Sequence, residues 1–378
     1  MKKGSGKKAR REKIVDRAFY ERIAKFPESI EEAISLGEKT TIPLRYYRKY
    51  SRVAVAGMGA SGAGGDYLAD LAPYLDIACL KAYEIPPYFG QETLFIAISF
   101  SGKTEETISA AALAHKKGCH VIGMGIPAKL KELCSKIQVP HVDFPAYYQP
   151  SRIGAAFVAF APAAVLGKLG MMHFSREDIK ETVKECRKIR ETCGQEVPEK
   201  ENPAKKFARD LAKLPVVIYV PSSLSSLGKK LKDDFAESGK VLAKWEALPE
   251  ANHNDLSVWQ ERPNASAIIV RSGKDETERE KEGLALSERV LKKYSRKFAK
   301  LTLPQANSKF ARLFAGVYFG MFVSYYLGVF RGIKAIGKTP LQDAVKGKLT
   351  PEFTQKTIEE SAPKGGESPQ AFLPPHAQ

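Results

Sequence analysis

Short apolar runs that end at glycine- or serine-rich turns recur along the whole chain. They occupy positions 52–56, 93–99, 120–124, 216–220, 267–270 and 299–303. Runs of this length without polar alternation are typical of strands buried on both faces of a parallel sheet. The pattern therefore predicts strands at these positions, grouped in two halves of the chain.

The stretches between these runs have the composition of amphipathic helices. Residues 104–117 begin with a hydroxyl and two acids and end with two lysines, the polarities that a helix dipole favours. Positions 227–237 and 275–294 follow strands of the second half in the same way. Strands that alternate with helices predict an α/β fold with two doubly wound parallel-sheet domains.

The length of 378 residues suits two domains rather than one. We predict a basic, disordered arm over 1–20 and a first domain over 21–170. A highly charged helical connector follows over 171–200, and the second domain covers 201–350. After that the composition turns to proline, glycine and polar residues, which predicts a disordered tail over 351–378.

Positions 313–330 carry no charge and include glycines four residues apart. That length is near the lower limit for a membrane span, about 18 residues. Three tyrosines, a serine, three glycines and flanking charges favour a fully buried helix instead, in which small residues allow close packing. We expect a buried helix and no membrane partner.

The content of charged residues, cysteines and histidines indicates which ligands and which cellular compartment to expect. The net charge of +17 attracts anions. Part of it lies in the first residues, MKKGSGKKARREK, which we expect to be a solvated terminus without nucleic-acid contact. The five dispersed cysteines indicate free thiols in a cytoplasmic protein. The six histidines form no recognisable ligand motif, so no metal is predicted.

The loop GMGASGAGGD (57–66) joins a predicted strand to a helix. Its glycines allow main-chain amides to converge, and Ser61 lies beside a helix N-terminus, where an anion is favoured. The spacing also fits a dinucleotide-binding loop, but Glu84, the only candidate acid for binding a ribose, comes a few residues after the end of the next strand. The loop thus predicts phosphate binding, with Gly59 and Ser61 as candidates and no organic cofactor.

A second loop of the same kind, SFSGKTEET (99–107), strengthens that interpretation. Ser99, Ser101 and Thr104 present three hydroxyls at another strand–helix junction, where a terminal phosphate fits. A dinucleotide fold does not need this second loop. Neither loop ends in the G-K-[ST] motif of nucleoside triphosphatases.

With these loops, the sequence between about 45 and 350 resembles the sugar isomerase (SIS) domain superfamily. More narrowly it is similar to the archaeal-type bifunctional phosphoglucose/phosphomannose isomerases. Four further segments carry the resemblance: QPSR (149–152), FAESGK (235–240), LPEANHND (248–255) and TPLQDAVKGKL (339–349). The sequence departs from the family pattern at two positions. Ala60 stands where the family usually has a glycine, and Ser238 stands where it usually has an asparagine.

The resemblance implies a role for each candidate residue. Gly59, Ser61, Ser99, Ser101 and Thr104 bind the phosphate of a hexose 6-phosphate. Arg152 lies over an enediol intermediate, and Glu237 is the base that moves the proton. His253 and Lys346 act at the ring oxygen and its hydroxyl, and Thr339 leaves room for the mannose epimer. The resemblance also implies a homodimer whose active sites are shared, with His253 facing the partner's Glu237.

These roles fit the chemistry of aldose–ketose isomerisation. Proton transfer beside a carbonyl needs a carboxylate base and a cation facing the developing oxyanion, and ring opening suits histidine. Taken singly, each residue could be a surface or loop side chain. We predict reversible isomerisation of glucose 6-phosphate and fructose 6-phosphate, and of mannose 6-phosphate. Two alternatives stay open: an isomerase of another phosphosugar, or a non-catalytic regulator that binds sugar phosphates.

Overall fold

The computed structural model of the protein describes residues 15–346 and 351–361. The strands are β1 (Arg52–Ala56), β2 (Ile77–Leu80), β3 (Thr93–Ser99), β4 (His120–Gly125), β5 (His141–Asp143), β6 (Val216–Pro221), β7 (Ala243–Leu248), β8 (Ser266–Arg271) and β9 (Lys297–Thr302).

The helices of the first half are α1 (Arg17–Ala24), α2 (Phe26–Lys39), α3 (Ala63–Leu71), α4 (Glu105–Lys116), α5 (Lys129–Lys136), α6 (Ala155–Lys168) and α7 (Arg176–Cys193). Those of the second half are α8 (Pro203–Leu211), α9 (Ser225–Glu237), α10 (Glu278–Tyr294), α11 (Lys309–Phe330), α12 (Pro340–Lys346) and α13 (Pro351–Glu360).

The strands form two separate parallel sheets. The first has the order β2-β1-β3-β4-β5 and the second the order β7-β6-β8-β9. Every neighbouring pair runs parallel. In each sheet the second strand along the chain lies at an edge and the chain then crosses to the other side, which is a doubly wound topology. The predicted α/β fold class is confirmed.

Alternate side chains of the strands enter different hydrophobic layers, as strand geometry requires. On one face of the first sheet, Phe95 and Val121 pack with α4 and α5. On the other, Ile96 and Ile122 join a larger core with α2, α3 and α6. This core continues to Ile218 of the second sheet. Two sheets thus share a central helical layer.

Helix α11 occupies that central layer. It is long and apolar enough to cross a membrane by length and composition, but 83% of its apolar window is buried inside the protein. Adding a methyl group at Gly316 or Gly320 would overlap Leu227 or Leu231 of α9. The small residues therefore serve close helix packing, as the sequence predicted.

All six predicted strands are present, and the predicted helices correspond to α4, α9 and α10. Two expectations about the termini were wrong within the described residues. Residues 17–20 of the expected arm belong to α1, and residues 351–360 of the expected tail form α13. Ile358 of α13 is buried against α4 and α5. The rest of both segments, 1–14 and 362–378, lies outside the described residues, and the domain limits stay a prediction.

Candidate functional site

The two glycine- and serine-rich loops leave the carboxyl ends of β1 and β3, which are adjacent strands of the first sheet. They are joined directly, because the main-chain N–H of Phe100 donates to Ser61 Oγ over 3.0 Å. Within the second loop, Ser99 Oγ donates to Thr104 Oγ1 over 2.8 Å and accepts from the Thr104 N–H over 3.1 Å. The structure therefore brings Ser61, Ser99 and Thr104 together.

Glycine is required where these loops turn. Gly59 and Gly102 have φ angles of 53° and 68°, in the left-handed region that favours glycine. A side chain on Gly102 would also meet the carbonyl oxygen of Ile126 at 2.2 Å. Beside Gly102, Ser101 is exposed and accepts the N–H of Lys103 over 3.3 Å. A hydroxyl and turn amides thus stand together before the start of α4, an arrangement that favours an anion.

The turn that carries Arg152 is followed by a glycine that packs against the second of these loops. Arg152 belongs to a short 3₁₀ turn, Ser151–Ile153, that follows β5 and leads into α6. Gly154, two residues after Arg152, packs closely on the Phe100 ring. A methyl carbon added at Gly154 would lie 2.2 Å from an atom of that ring. This contact holds the turn against the loop of residues 99–104.

The Arg152 guanidinium reaches across to the second half of the chain. Its Nη1 lies 3.0 Å from Glu237 Oε2, at the last residue of α9. The arginine side chain is only 4% exposed, whereas the glutamate side chain is 21% exposed. A buried cation and a partly accessible carboxylate therefore meet where the two halves of the protein join.

The other nitrogens of Arg152 are also bonded. Nε donates to Ser238 Oγ over 3.1 Å, and Nη2 donates to the carbonyl oxygens of Ile336 and Gly337 over 3.3 and 2.6 Å. The ring of Phe19 lies 5.2 Å from the guanidinium carbon, within the range of a cation–π contact. Ser238, which departs from the family pattern, thus holds the arginine.

Glu237 has a partner for each carboxylate oxygen. Oε2 pairs with Arg152, and Oε1 accepts from Gln342 Nε2 of α12 over 3.3 Å. The main-chain carbonyl of Glu237 accepts from Lys240 Nζ over 2.5 Å. Burial is the main cause that lowers the pKa of Lys240, and the nearby Arg152 lowers it further. The end of α9 is therefore fixed from several sides.

Among the described residues, no hydrogen bond or ion pair joins three further predicted residues to this pair. His253 is exposed, in a 3₁₀ turn after β7, and its ring makes no hydrogen bond within 15–346 and 351–361. Lys346 is exposed at the end of α12. Thr339 directly precedes α12, with its hydroxyl 3.5 Å from Asp343 Oδ1.

The loop that carries His253 is itself well anchored. Tyr219 OH donates to Asp255 Oδ2 over 2.5 Å, and Trp259 Nε1 donates to Tyr219 OH over 2.6 Å. Ser287 Oγ of α10 donates to Asn252 Oδ1 over 2.8 Å. An exposed histidine is thus presented on a fixed loop.

A metal site would need several histidine, cysteine or carboxylate ligands close together within the part of the chain that the structure describes. No group of three or more histidine, cysteine, aspartate or glutamate side chains comes together there as a metal site. The expectation that the reaction needs no metal stays a prediction.

Comparison with known proteins shows what this chain is similar to. Residues 200–346 match the model of the bacterial phosphoglucose isomerase C-terminal SIS domain. A bifunctional phosphoglucose/phosphomannose isomerase of Caldicellulosiruptor bescii is 28% identical over 342 residues, covering 88% of this chain and 98% of the relative. The protein of the same name from Thermoplasma volcanium is 27% identical over 291 residues, covering 75% and 87%. Residues 200–346 thus carry an SIS domain of the phosphoglucose isomerase type, and the chain is similar to bifunctional phosphoglucose/phosphomannose isomerases over most of its length.

The likeness extends to three-dimensional structure. A hypothetical protein from Thermus thermophilus superposes with a TM-score of 0.68 at 18% identity, covering 88% of this chain and 90% of that one. At this identity the match supports the fold alone. The α/β fold class and the resemblance to bifunctional phosphoglucose/phosphomannose isomerases, both predicted from the sequence, are confirmed.

Two residues that help to hold Arg152 escaped the sequence analysis. Asp16 and Phe19 lie in the segment predicted to be a disordered arm, yet Asp16 Oδ2 accepts the N–H of Gly337 over 2.7 Å. That glycine in turn binds Arg152. The spacing of Phe19 and Ile23, both buried on one face of α1, was the available signal.

The two hydroxyl-rich loops, which the sequence predicts to bind the phosphate, give a first prediction. Replacing Ser101 by Ala removes one exposed hydroxyl donor to a charged phosphate, a bond worth about 1.5–3 kcal/mol. We expect KM to rise by about tenfold or more for glucose, mannose and fructose 6-phosphate alike, with kcat nearly unchanged, because the phosphate does not distinguish epimers. Steady-state kinetics with each substrate measures this.

Ser135→Ala is the control, because Ser135 is an exposed serine of α5 in the same domain. Its KM values should equal those of the wild type. Loss of the mannose reaction alone in Ser101→Ala would mean that the loop does not hold the phosphate.

Proposed function

We propose that this protein is an aldose–ketose isomerase that reversibly converts glucose 6-phosphate to fructose 6-phosphate and accepts mannose 6-phosphate as a second substrate. The observation that carries the proposal is the pair of Arg152 and Glu237, 3.0 Å apart, beside two hydroxyl-rich loops. These are a fixed cation, a partly exposed carboxylate and an anion site, which are the groups that enediol chemistry needs.

In the proposed reaction the sugar phosphate is anchored by Ser61, Ser99, Ser101 and Thr104, and its carbonyl end reaches Arg152. Glu237 removes the proton from C2 of the open-chain aldose, and the electron pair moves to the C1 carbonyl oxygen. The enediolate that forms faces the guanidinium, which stays charged at any working pH. The proton of the C2 hydroxyl then passes to O1. Glu237 returns its proton to C1 while the electron pair on O2 forms the C2 carbonyl, and the ketose results.

The remaining residues act before and beside that step. His253 and Lys346 move protons between the ring oxygen and the hydroxyl at the ring-opening carbon, for which an imidazole is suited near neutral pH. The half-buried Thr339 borders the sugar and admits the mannose epimer. These three roles come from the family resemblance, and Arg152 and Glu237 do not depend on them for the proton transfer itself.

We further propose a homodimer in which each active site is shared. His253 is exposed on an anchored loop, and no hydrogen bond or ion pair joins it to Glu237 within the described residues. A second copy of the chain would supply the missing histidine to each site. In a twofold dimer both sites are completed in the same way.

A mixed dimer tests this arrangement. Glu237→Gln and His253→Ala chains, each inactive alone, are unfolded and refolded together. If sites are shared, a mixed dimer has one site with both lesions and one with none. Random association makes about half of the dimers mixed, so about a quarter of wild-type activity should return. No recovery, with mixed dimers confirmed by mass spectrometry, would rule out the shared site.

The substrate assignment is tested with purified protein in buffer containing EDTA. Formation of fructose 6-phosphate from glucose 6-phosphate and from mannose 6-phosphate should be detected in a coupled assay. Glucosamine 6-phosphate is assayed in parallel, since an isomerase of another phosphosugar is the alternative enzyme. Binding of all these compounds without conversion of any would favour the sugar-phosphate-binding regulator.

We also propose a cytoplasmic enzyme that serves glycolysis and gluconeogenesis, since the reaction is reversible. All five cysteines are free. Burial raises the pKa of Cys79 and Cys119 to about 11 in both cases, so that these thiols stay protonated and unreactive. Free, unreactive thiols are usual in a reducing compartment.

A further inference from the structure

A buried ion pair lies one and two turns before Glu237 on α9. Lys230 and Asp234 are side-chain neighbours, and their side chains are only 3% and 4% exposed. Residues four and seven apart share one face of a helix, so Lys230, Asp234 and Glu237 all face the same way. That face is directed at the turn that carries Arg152.

Lys230 has a second bond in addition to its ion pair. Its Nζ donates to the main-chain carbonyl oxygen of Arg152 over 3.1 Å. Helix α9 therefore holds Arg152 at both ends: Lys230 holds the main chain, and Glu237 and Ser238 hold the guanidinium. A single helix of the second half thus fixes an arginine of the first half.

Burying an ion pair of this kind lowers the stability of the folded protein. Removing two charges from water costs several kcal/mol for each ion, and apolar residues of similar size are often as stable or more stable. Asp234 Oδ2 is buried and has no hydrogen-bond partner among the described residues. Burial is the main cause that raises the pKa of Asp234 to about 6, and Lys230 opposes that rise. The buried pair therefore costs stability. In return, it keeps the Lys230 ammonium where it donates to the Arg152 carbonyl oxygen.

We propose that Lys230 and Asp234 are positioning residues for the isomerase reaction, which fix the main chain of Arg152 so that its guanidinium faces the enediolate. Asp234 holds the Lys230 ammonium in place, and Lys230 holds the Arg152 carbonyl. The proposal rests on the proposed function for its effect on catalysis. The contact with Arg152 can be measured without any substrate.

The test uses the double variant Lys230→Met/Asp234→Asn in the full-length protein. Both charges are removed together, so no uncompensated charge remains buried and the fold should be retained. The matched control is Lys232→Met/Asp233→Asn, an adjacent ion pair of α9 whose side chains are 37% and 36% exposed. Both variants remove one lysine and one aspartate from the same helix.

Two measurements distinguish a loss of Arg152 positioning from a general loss of fold stability. Nitrogen-15 NMR follows solvent exchange of the Arg152 Nε–H, with Arg312 as an internal reference, since it is also buried and bonded to a carboxylate. We expect exchange at Arg152 to rise at least tenfold in the test variant and to stay unchanged at Arg312. We also expect kcat to fall about tenfold or more with KM nearly unchanged, because phosphate anchoring is intact.

Each outcome decides one question. Unchanged exchange at Arg152 in a folded test variant overturns the positioning proposal, whatever the kinetics. Faster exchange with a fall in kcat supports it. If wild-type protein converts no hexose phosphate, the proposed function fails and the NMR result alone decides whether the pair fixes Arg152. An equal kcat loss in the control variant would overturn the specific role of Lys230 and Asp234.

Discussion

Replacing Glu237 by Gln should lower kcat for the glucose 6-phosphate reaction by about 100-fold or more, the usual contribution of a positioned general base. Glutamine keeps the size of the side chain and can still accept from Gln342, which lies 3.3 Å away. It cannot take a proton from carbon. Binding of fructose 6-phosphate, measured by calorimetry, should persist because the two hydroxyl-rich loops that we propose to bind the phosphate are untouched.

Asp233→Asn serves as the control for that variant. Asp233 is a carboxylate on the same helix, pairs with Lys232 and is half-exposed. Its loss should change kcat by less than about twofold, since surface ion pairs contribute little. A Glu237→Gln enzyme that retained a tenth of wild-type kcat would exclude Glu237 as the base.

Replacing Arg152 by Lys should also reduce kcat by about 100-fold or more, although the positive charge is kept. A lysine cannot reproduce the bonds that the guanidinium donates to Glu237, Ser238 and the two carbonyl oxygens. An ammonium is a compact charge without the planar fork of arginine. The loss should therefore appear in kcat, and the affinity for inorganic phosphate should be retained.

Arg312→Lys is the matched control for that loss. Arg312 is as deeply buried, pairs with Asp275 and donates to the carbonyl oxygens of Ala306 and Asn307. Its replacement should lower the melting temperature without a comparable loss of kcat for folded protein. Similar kcat losses in both variants would show that Arg152 acts through stability alone.

The central strands could be predicted because they are buried on both faces and therefore read as uninterrupted apolar runs. The edge strand β7 was missed, since Lys244 and Glu246 are accessible there and break the run. Strand β5 has only three residues, too few for any periodicity. Helix α13 is anchored through Ile358, a long-range contact that local composition does not reveal.

The residues of the candidate site also differ in whether local sequence could predict them. Ser61, Ser99 and Thr104 could be predicted because each loop carries its own chemistry within about ten residues. Arg152 and Glu237 are 85 positions apart in sequence, and only the family resemblance linked them before the structure. Lys230 and Asp234 lie among several lysines and aspartates of α9, and sequence alone does not tell which of them are buried.

The central claim is that Glu237 transfers a proton through an enediol, and hydrogen exchange with solvent tests it most directly. Fructose 6-phosphate is incubated with the protein in deuterium oxide until equilibrium, and both sugars are analysed by NMR. We expect deuterium at C1 of the ketose and at C2 of the aldose, and none with Glu237→Gln. Complete isomerisation with protium retained at both carbons would contradict the account, because the hydrogen would then pass directly between carbons.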